Sequence, residues 1–193
     1  MHQLVYITVT LLLASCARGQ RPIKTTLTAS NGGQWGDWGE KEMCPTDFYA
    51  VGFSLKVERP IGDGDDTALN AIRLYCVNKC SSYPYTDYAV VVSDMGPWGE
   101  WTQPKWCKSG KLMSFQLLVE PPQGRGDDTA ANDIMFQCSG GEELAGGGTI
   151  WGNWGGWSRC TGTGICGIQT KVEKPQGSGD DTALNDVRFF CCD

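Results

Sequence analysis

Gly64-Asp65-Asp66-Thr67-Ala68-Leu69-Asn70 returns as Gly126-Asp127-Asp128-Thr129-Ala130-Ala131-Asn132, and again as Gly179-Asp180-Asp181-Thr182-Ala183-Leu184-Asn185. Three near-identical copies in a chain of 193 residues mark a threefold internal repeat. The flanking sequence repeats with them. Upstream, a β-prone run leads into Trp-Gly-x-Trp. Thr25-Thr26-Leu27-Thr28 precedes Trp35-Gly36-Asp37-Trp38, Tyr88-Ala89-Val90-Val91-Val92 precedes Trp98-Gly99-Glu100-Trp101, and Thr149-Ile150 precedes Trp151-Gly152-Asn153-Trp154. A cysteine follows each cluster, at Cys44, Cys107 or Cys160.

Between that cysteine and the repeated heptapeptide lies an alternating strand. Phe53-Ser54-Leu55-Lys56-Val57-Glu58 puts Phe, Leu and Val on one face and Ser, Lys and Glu on the other. Phe115 to Glu120 and Ile168 to Glu173 follow the same pattern, with Thr170 at an inward position. A period of two marks strands with one buried face. Proline-containing, Gly-rich turns end them at Pro60, Pro121-Pro122 and Pro175. Downstream, Ile72-Arg73-Leu74-Tyr75-Cys76 matches Ile134-Met135-Phe136-Gln137-Cys138 and Val187-Arg188-Phe189-Phe190-Cys191. No stretch shows helical spacing.

The spacing predicts about four short strands per copy and about twelve in all. One copy, at roughly 45 to 60 residues, is too small for a large core of its own. The three inward faces must therefore bury one another. The expectation is an all-β protein in which three antiparallel sheets with internal pseudo-threefold symmetry form a triangular prism. It is one domain over residues 20–193, with repeats at about 24–80, 86–140 and 147–192. A β-trefoil is also threefold but lacks the Trp-Gly-x-Trp and Gly-Asp-Asp-Thr-Ala signatures.

Residues 1–19 read as a signal peptide. Leu4 to Ala14 is an apolar run too short to span a membrane, and small residues after it suit cleavage after Gly19. Leu13-Ala14-Ser15-Cys16 also fits a bacterial lipobox, against which the composition downstream argues. A secreted, extracellular chain without a membrane span is expected. Loss of Arg18 takes the formal charge from −6 to −7, the wrong sign for nucleic acid. The only histidine is His2, inside the leader. The mature chain thus has none for Ser-His-Asp or Cys-His nucleophiles, or for histidine-ligated zinc.

Ten cysteines in a secreted chain indicate disulfides. Repeat symmetry pairs Cys44 with Cys76, Cys107 with Cys138, and Cys160 with Cys191. Cys166 and Cys192 remain in the third copy as a fourth pair; adjacent Cys191 and Cys192 face opposite ways on a strand and take different partners. Cys80 is left over, as a free thiol, a capped one or an intermolecular disulfide.

These parts together resemble the vitelline membrane outer layer protein family. The likeness rests on Trp-Gly-x-Trp, a following cysteine, Phe-x-Leu-x-Val-Glu, Gly-Asp-Asp-Thr-Ala-x-Asn and a terminal Cys-Cys, and runs from about Thr25 to Cys192. It implies a secreted, disulfide-stapled β-prism of three Greek-key sheets and a place in an egg's outer coat or another secretion. Some members are linked to binding or transglycosylation of N-acetylglucosamine oligosaccharides. Cys80 is extra to the family's bridges, and Met135 stands where the other copies have Arg73 and Arg188.

The chemistry open to the motif is that of carboxylates and aromatics. Candidate acids are Glu58, Glu120 and Glu173, with Asp66, Asp128 and Asp181 in the repeated turns. Without histidine, glycosyl transfer here would use two carboxylates, one of them protonated. The competing reading is structural: Asp in such a turn accepts backbone N–H bonds, and a turn needed three times suits folding better than one asymmetric active site. Asp63, Asp65 and Asp66 cluster, yet Asp63 has no acidic counterpart at Arg125 or Ser178, and the EF-hand spacing is absent. No cofactor and no metal is expected. Trp35, Trp98 and Trp151 are read as core or corner residues, Trp106 and Trp157 as freer to bind. The functional expectation is a structural or interaction protein of an extracellular coat, meeting matrix or egg-coat proteins and glycans. The alternative is a carbohydrate-active protein acting on N-acetylglucosamine oligosaccharides.

Overall fold

The computed structural model describes residues 21–59, 68–121, 131–174 and 184–193. Residues 1–20, with the expected leader, and Asp66, Asp128 and Asp181 of the repeated motif lie outside the described residues. Among the described residues all regular structure is β. Long strands β4 (Phe48–Val57) and β5 (Leu69–Asn78), β9 (Leu112–Val119) and β10 (Ala131–Cys138), and β14 (Gly164–Val172) and β15 (Leu184–Cys192) form three antiparallel pairs. Short strands complete them: β1 (Thr25–Thr28), β2 (Asp37–Trp38), β3 (Glu42–Met43), β6 (Ala89–Val92), β7 (Glu100–Trp101), β8 (Lys105–Trp106), β11 (Glu143–Ala145), β12 (Asn153–Trp154) and β13 (Ser158–Arg159).

Three five-stranded sheets result. Sheet I runs β6-β5-β4-β7, with β8 also on β4; sheet II runs β11-β10-β9-β12, with β13 on β9; sheet III runs β1-β15-β14-β2, with β3 on β14. In each, three consecutive strands are followed by one that returns beside the first, which is the Greek-key order. In sheet III that order passes through the chain ends, because β1 pairs with β15 from Thr25↔Cys191 to Thr28↔Arg188.

The sheets do not coincide with the sequence copies. About twelve strands were expected; the described residues hold fifteen, and each Trp-Gly-x-Trp corner pairs with a long strand of another copy, the second on the first, the third on the second and the first on the third. Trp101 lies opposite Lys56, Trp154 opposite Leu118, and Trp38 opposite Lys171. The exchange gives each long strand a partner on its open side, removing an edge that would otherwise be free for aggregation.

The inward residues of all three sheets make one core. Phe53, Leu55, Ile72 and Leu74 from sheet I, Phe115, Leu117, Ile134 and Phe136 from sheet II, and Ile168, Val187 and Phe189 from sheet III are fully buried in a single cluster. Rings from the three sheets meet at its centre: Phe53–Phe136 at 4.6 Å, Phe115–Phe189 at 4.8 Å and Phe136–Phe189 at 5.1 Å between centroids. Burying each such ring contributes about 2 to 3 kcal/mol.

The disulfides tie the sheets at their seams. Cys44, just after β3 of sheet III, joins Cys76 in β5 of sheet I. Cys107, after β8 of sheet I, joins Cys138 in β10 of sheet II. Cys160, after β13 of sheet II, joins Cys191 in β15 of sheet III. Each bridge is internal to a sequence copy yet spans two sheets. Cys166–Cys192 lies within sheet III, in a small second cluster with Tyr49 and Phe190. Cys80 is free and exposed.

Ser54 and Thr170 are two polar side chains buried in the strands. Ser54, expected on the polar face, is buried because the Tyr75 hydroxyl hydrogen-bonds it at 3.0 Å, in an aromatic roof that also includes Tyr85, Tyr88 and Trp106. Thr170, at an inward position, is also buried; its hydroxyl donates to the Asp94 carbonyl at 3.0 Å.

Candidate functional site

The motif asparagines fix the corners. Asn70, Asn132 and Asn185 are fully buried, and their backbone carbonyls accept N–H bonds from Gly96 (2.8 Å), Thr149 (2.9 Å) and Gly33 (2.7 Å). Each bond anchors the segment two residues before Trp98, Trp151 or Trp35. The chain then turns at a glycine in the left-handed region: φ is +80° at Gly36, +87° at Gly99 and +100° at Gly152. A Cβ at Gly99 would lie 2.4 Å from the backbone carbon of Val57. Only glycine meets both the dihedral and the close approach.

That turn lays the third residue of Trp-Gly-x-Trp against the end of the long strand. Glu100 pairs with Val57, Asn153 with Val119 and Asp37 with Val172. The next residue of each long strand is Glu58, Glu120 or Glu173. Sheets I and III therefore bring two acidic residues to one corner. Sheet II brings Glu120 and the uncharged Asn153.

A cleft of about 770 Å³ opens at the sheet I corner. One side is Val57, Glu58 and Arg59 with Gly99, Glu100, Trp101 and Thr102; the other is the glycine-rich segment from Gly147 to Trp151. The Arg73 guanidinium lies 3.8 Å from the Trp101 ring centroid and fixes that indole in the outer face. Trp151 is 54% exposed. The glycine-rich side is held from β10: the Asp133 carboxylate accepts N–H bonds from Ile134 at 2.8 Å and Gly147 at 3.3 Å. Burial raises the Asp133 pKa above the usual carboxylate value, opposed by those backbone donors. Asp186, at the equivalent place in β15, is likewise raised by burial and accepts from the Val187 N–H at 2.7 Å.

Carboxylates accept hydrogen bonds from vicinal hydroxyls, and an indole face packs against the C–H face of a pyranose. A concave site of this size, with aromatic walls and a few polar groups, has the form of a small-ligand pocket.

The sequence candidates do not converge. Glu58 lines the cleft, while Glu120 and Glu173 occupy the same station in the other two sheets; Asp66, Asp128 and Asp181 lie outside the described residues. Glu100, Arg59 and Trp101 were not singled out as site residues, although an acid inside Trp-Gly-x-Trp in two copies was the available signal. Trp35, Trp98 and Trp151 are exposed corner residues rather than core, Trp35 at 61%. Trp106, expected to be freer, packs against Tyr75 at 4.8 Å and Tyr88 at 5.3 Å. No group of three potential metal ligands occurs among the described residues.

Residues 25–193 match the family model described as Vitelline membrane outer layer protein I. The chain belongs to that family. A human relative, vitelline membrane outer layer protein 1 homolog, is 51% identical over 182 residues, covering 92% of this chain and 89% of the relative. Among solved structures, the Calystegia sepium agglutinin aligns with a TM-score of 0.53 at 12% identity, covering 89% of this chain and 97% of that one. Artocarpin in complex with mannotriose aligns with a TM-score of 0.53, also at 12% identity, covering 86% and 95%. At such identity the likeness is one of architecture, the β-prism.

Proposed function

We propose that this chain is a secreted structural protein of an extracellular coat that binds glycans, with the cleft between Glu58, Glu100, Trp101 and Trp151 as its binding site. The carrying observation is the cleft itself: two acidic side chains and two indoles at one corner of a disulfide-tied prism. Family membership supports the coat assignment, since the family description and the human relative's name both refer to the vitelline membrane outer layer. The mannotriose named with artocarpin supports a sugar ligand on this architecture. Cleavage of the leader and export through it belong to the same reading, as do matrix or coat proteins as partners and Cys80 as a point of intermolecular crosslinking.

The test is a titration with N-acetylglucosamine oligomers and with mannotriose, followed by tryptophan fluorescence. Saturable change is expected with at least one of them. Trp151→Ala should weaken it about tenfold, the equivalent of about 1.4 kcal/mol, and Glu100→Gln should weaken it less. Chromatography of the recovered sugars should show unchanged chain lengths. Absence of saturable change with either sugar at millimolar concentration would remove glycan binding from the assignment.

A further inference from the structure

The three Trp-Gly-x-Trp corners offer an internal comparison, because among the described residues two of them carry a cationic lid on the outside and the third does not. In sheet I, Arg73 lies over the Trp101 ring at 3.8 Å, and Lys56, opposite Trp101, donates to the carbonyls of Gly96 (3.0 Å) and Pro97 (2.8 Å). In sheet III, Arg188 lies over the Trp38 ring at 3.8 Å, and Lys171, opposite Trp38, donates to the Gln34 carbonyl. Both cations are missing from sheet II. Met135 stands at the arginine station and Leu118 at the lysine station, opposite Trp154. Trp154 is accordingly 40% exposed, whereas Trp38 and Trp101 are half-buried.

Two independent substitutions thus change the same corner in the same direction, each putting an uncharged side chain where the other sheets have a cation beside the indole. The setting is not simply greasy. Gln116 shares the face and reaches Met135, Nε2 to Sδ at 3.5 Å. Gln137 accepts from Arg159 Nη1 at 3.0 Å on the same face. Trp157, three residues beyond Trp154, is 43% exposed. An indole face carries the negative end of its quadrupole and favours polarised C–H bonds. A pyranose ring offers one face of such C–H bonds and a rim of hydroxyls, which amide and guanidinium groups recognise. Loss of both local cations fits an uncharged sugar.

We propose that the outer face of sheet II around Trp154 is a second carbohydrate-binding surface, taking a neutral pyranose of a glycan by stacking on the indole. Met135 and Leu118 are the substitutions that open it. The inference rests on the glycan-binding reading above but places contact on a face distinct from the cleft, so one protein could hold two sugar segments.

Met135→Arg tests this by restoring the lid present in the other two sheets. The folded protein is titrated with an N-acetylglucosamine tetramer and with mannotriose while the indole N–H signals are followed by NMR; Trp154→Phe identifies the Trp154 signal. The expected result is a saturable shift of the Trp154 signal, with Trp38 unmoved; Trp101 and Trp151 report on the cleft. Met135→Arg should weaken that event about tenfold, with Trp151→Ala leaving it in place. A circular dichroism spectrum and an unfolding curve like the parent's establish that the variants fold. Shifts of Trp151 without Trp154 would overturn the second surface and leave the cleft standing. A silent set of indoles would overturn both. A Trp154 signal that moves with protein concentration and not with sugar would assign the face to self-association, and a Met135→Arg protein that binds as the parent does would also refute the proposal.

Discussion

At the scale of single residues, Asp133 shows how this fold uses a carboxylate away from any catalytic task. It stands beside the motif residue Asn132, where copy one has Ala71 beside Asn70. Its oxygens take N–H bonds from Ile134 and Gly147, which fixes one side of the cleft. Burial raises its folded pKa above the ordinary carboxylate value. In the window between its unfolded and folded pKa values, the folded state therefore holds more proton than the unfolded one. Its contribution to stability is greatest below the unfolded pKa, declines as pH rises through the folded pKa, and then levels off. Asp133→Asn keeps an acceptor oxygen without the charge. Its stability relative to the parent should improve from about pH 4 upward and then become constant. Urea unfolding at several pH values checks this; parallel curves would mean that Asp133 does not titrate differently in the two states. Asp186 shifts in the same direction and is common to both proteins, so the comparison isolates Asp133.

At the scale of elements, the outer faces of the sheets follow from register. Directly opposed residues share a face, so Lys56 with Trp101 and Lys171 with Trp38 place cations beside indoles. The arginines then reach diagonally across the long strand. Arg73→Met should remove the arginine lid from the sheet I corner, as Met135 does in sheet II, with Lys56 remaining. Loss of about 0.5 to 1 kcal/mol is expected from the missing cation–π contact, together with greater solvent exposure of Trp101. Unfolding measurements and acrylamide quenching provide the readouts. Unchanged quenching would mean that Arg73 does not cover the indole in solution. The aromatic roof over sheet I is a separate device. The connection between β5 and β6 carries Tyr83 and Tyr85, with Tyr88 just before β6, and these rings with Trp106 and Tyr75 cover a serine that would otherwise face water.

For the whole molecule, closure is the central fact. The first and last described strands share a sheet, through the pairing of β1 with β15, and three disulfides cross the three seams. Their loops span sequence separations of 32, 31 and 31 residues. On chain entropy each contributes roughly 3 to 4 kcal/mol. Replacing both cysteines of any one pair by alanine should lower stability by about that amount, and by similar amounts for all three pairs. Denaturant unfolding under non-reducing conditions tests this. A single dominant pair would show that local packing, not loop closure, sets the contribution. A domain of this size buries about two-thirds of the surface its unfolded chain exposes, so bridges at every seam add materially to a modest margin.

Much of this was legible in the chain. The heptapeptide, the period-two strands and the cysteine spacing specify a threefold β architecture, because such patterns depend on local backbone geometry and on which faces must be dry. The signal that Met135 differs from Arg73 and Arg188 was also visible, but its meaning was not. Which long strand receives each Trp-Gly-x-Trp corner depends on pairing between residues far apart in sequence, as in Trp38 opposite Lys171. The exposure of Trp35 and Trp151 and the gathering of Glu58 with Glu100 follow from that exchange of corners. Sequence determined the repeated unit; tertiary structure alone decided which units touch, because hydrophobic pattern fixes a strand's buried face but not the identity of its neighbour.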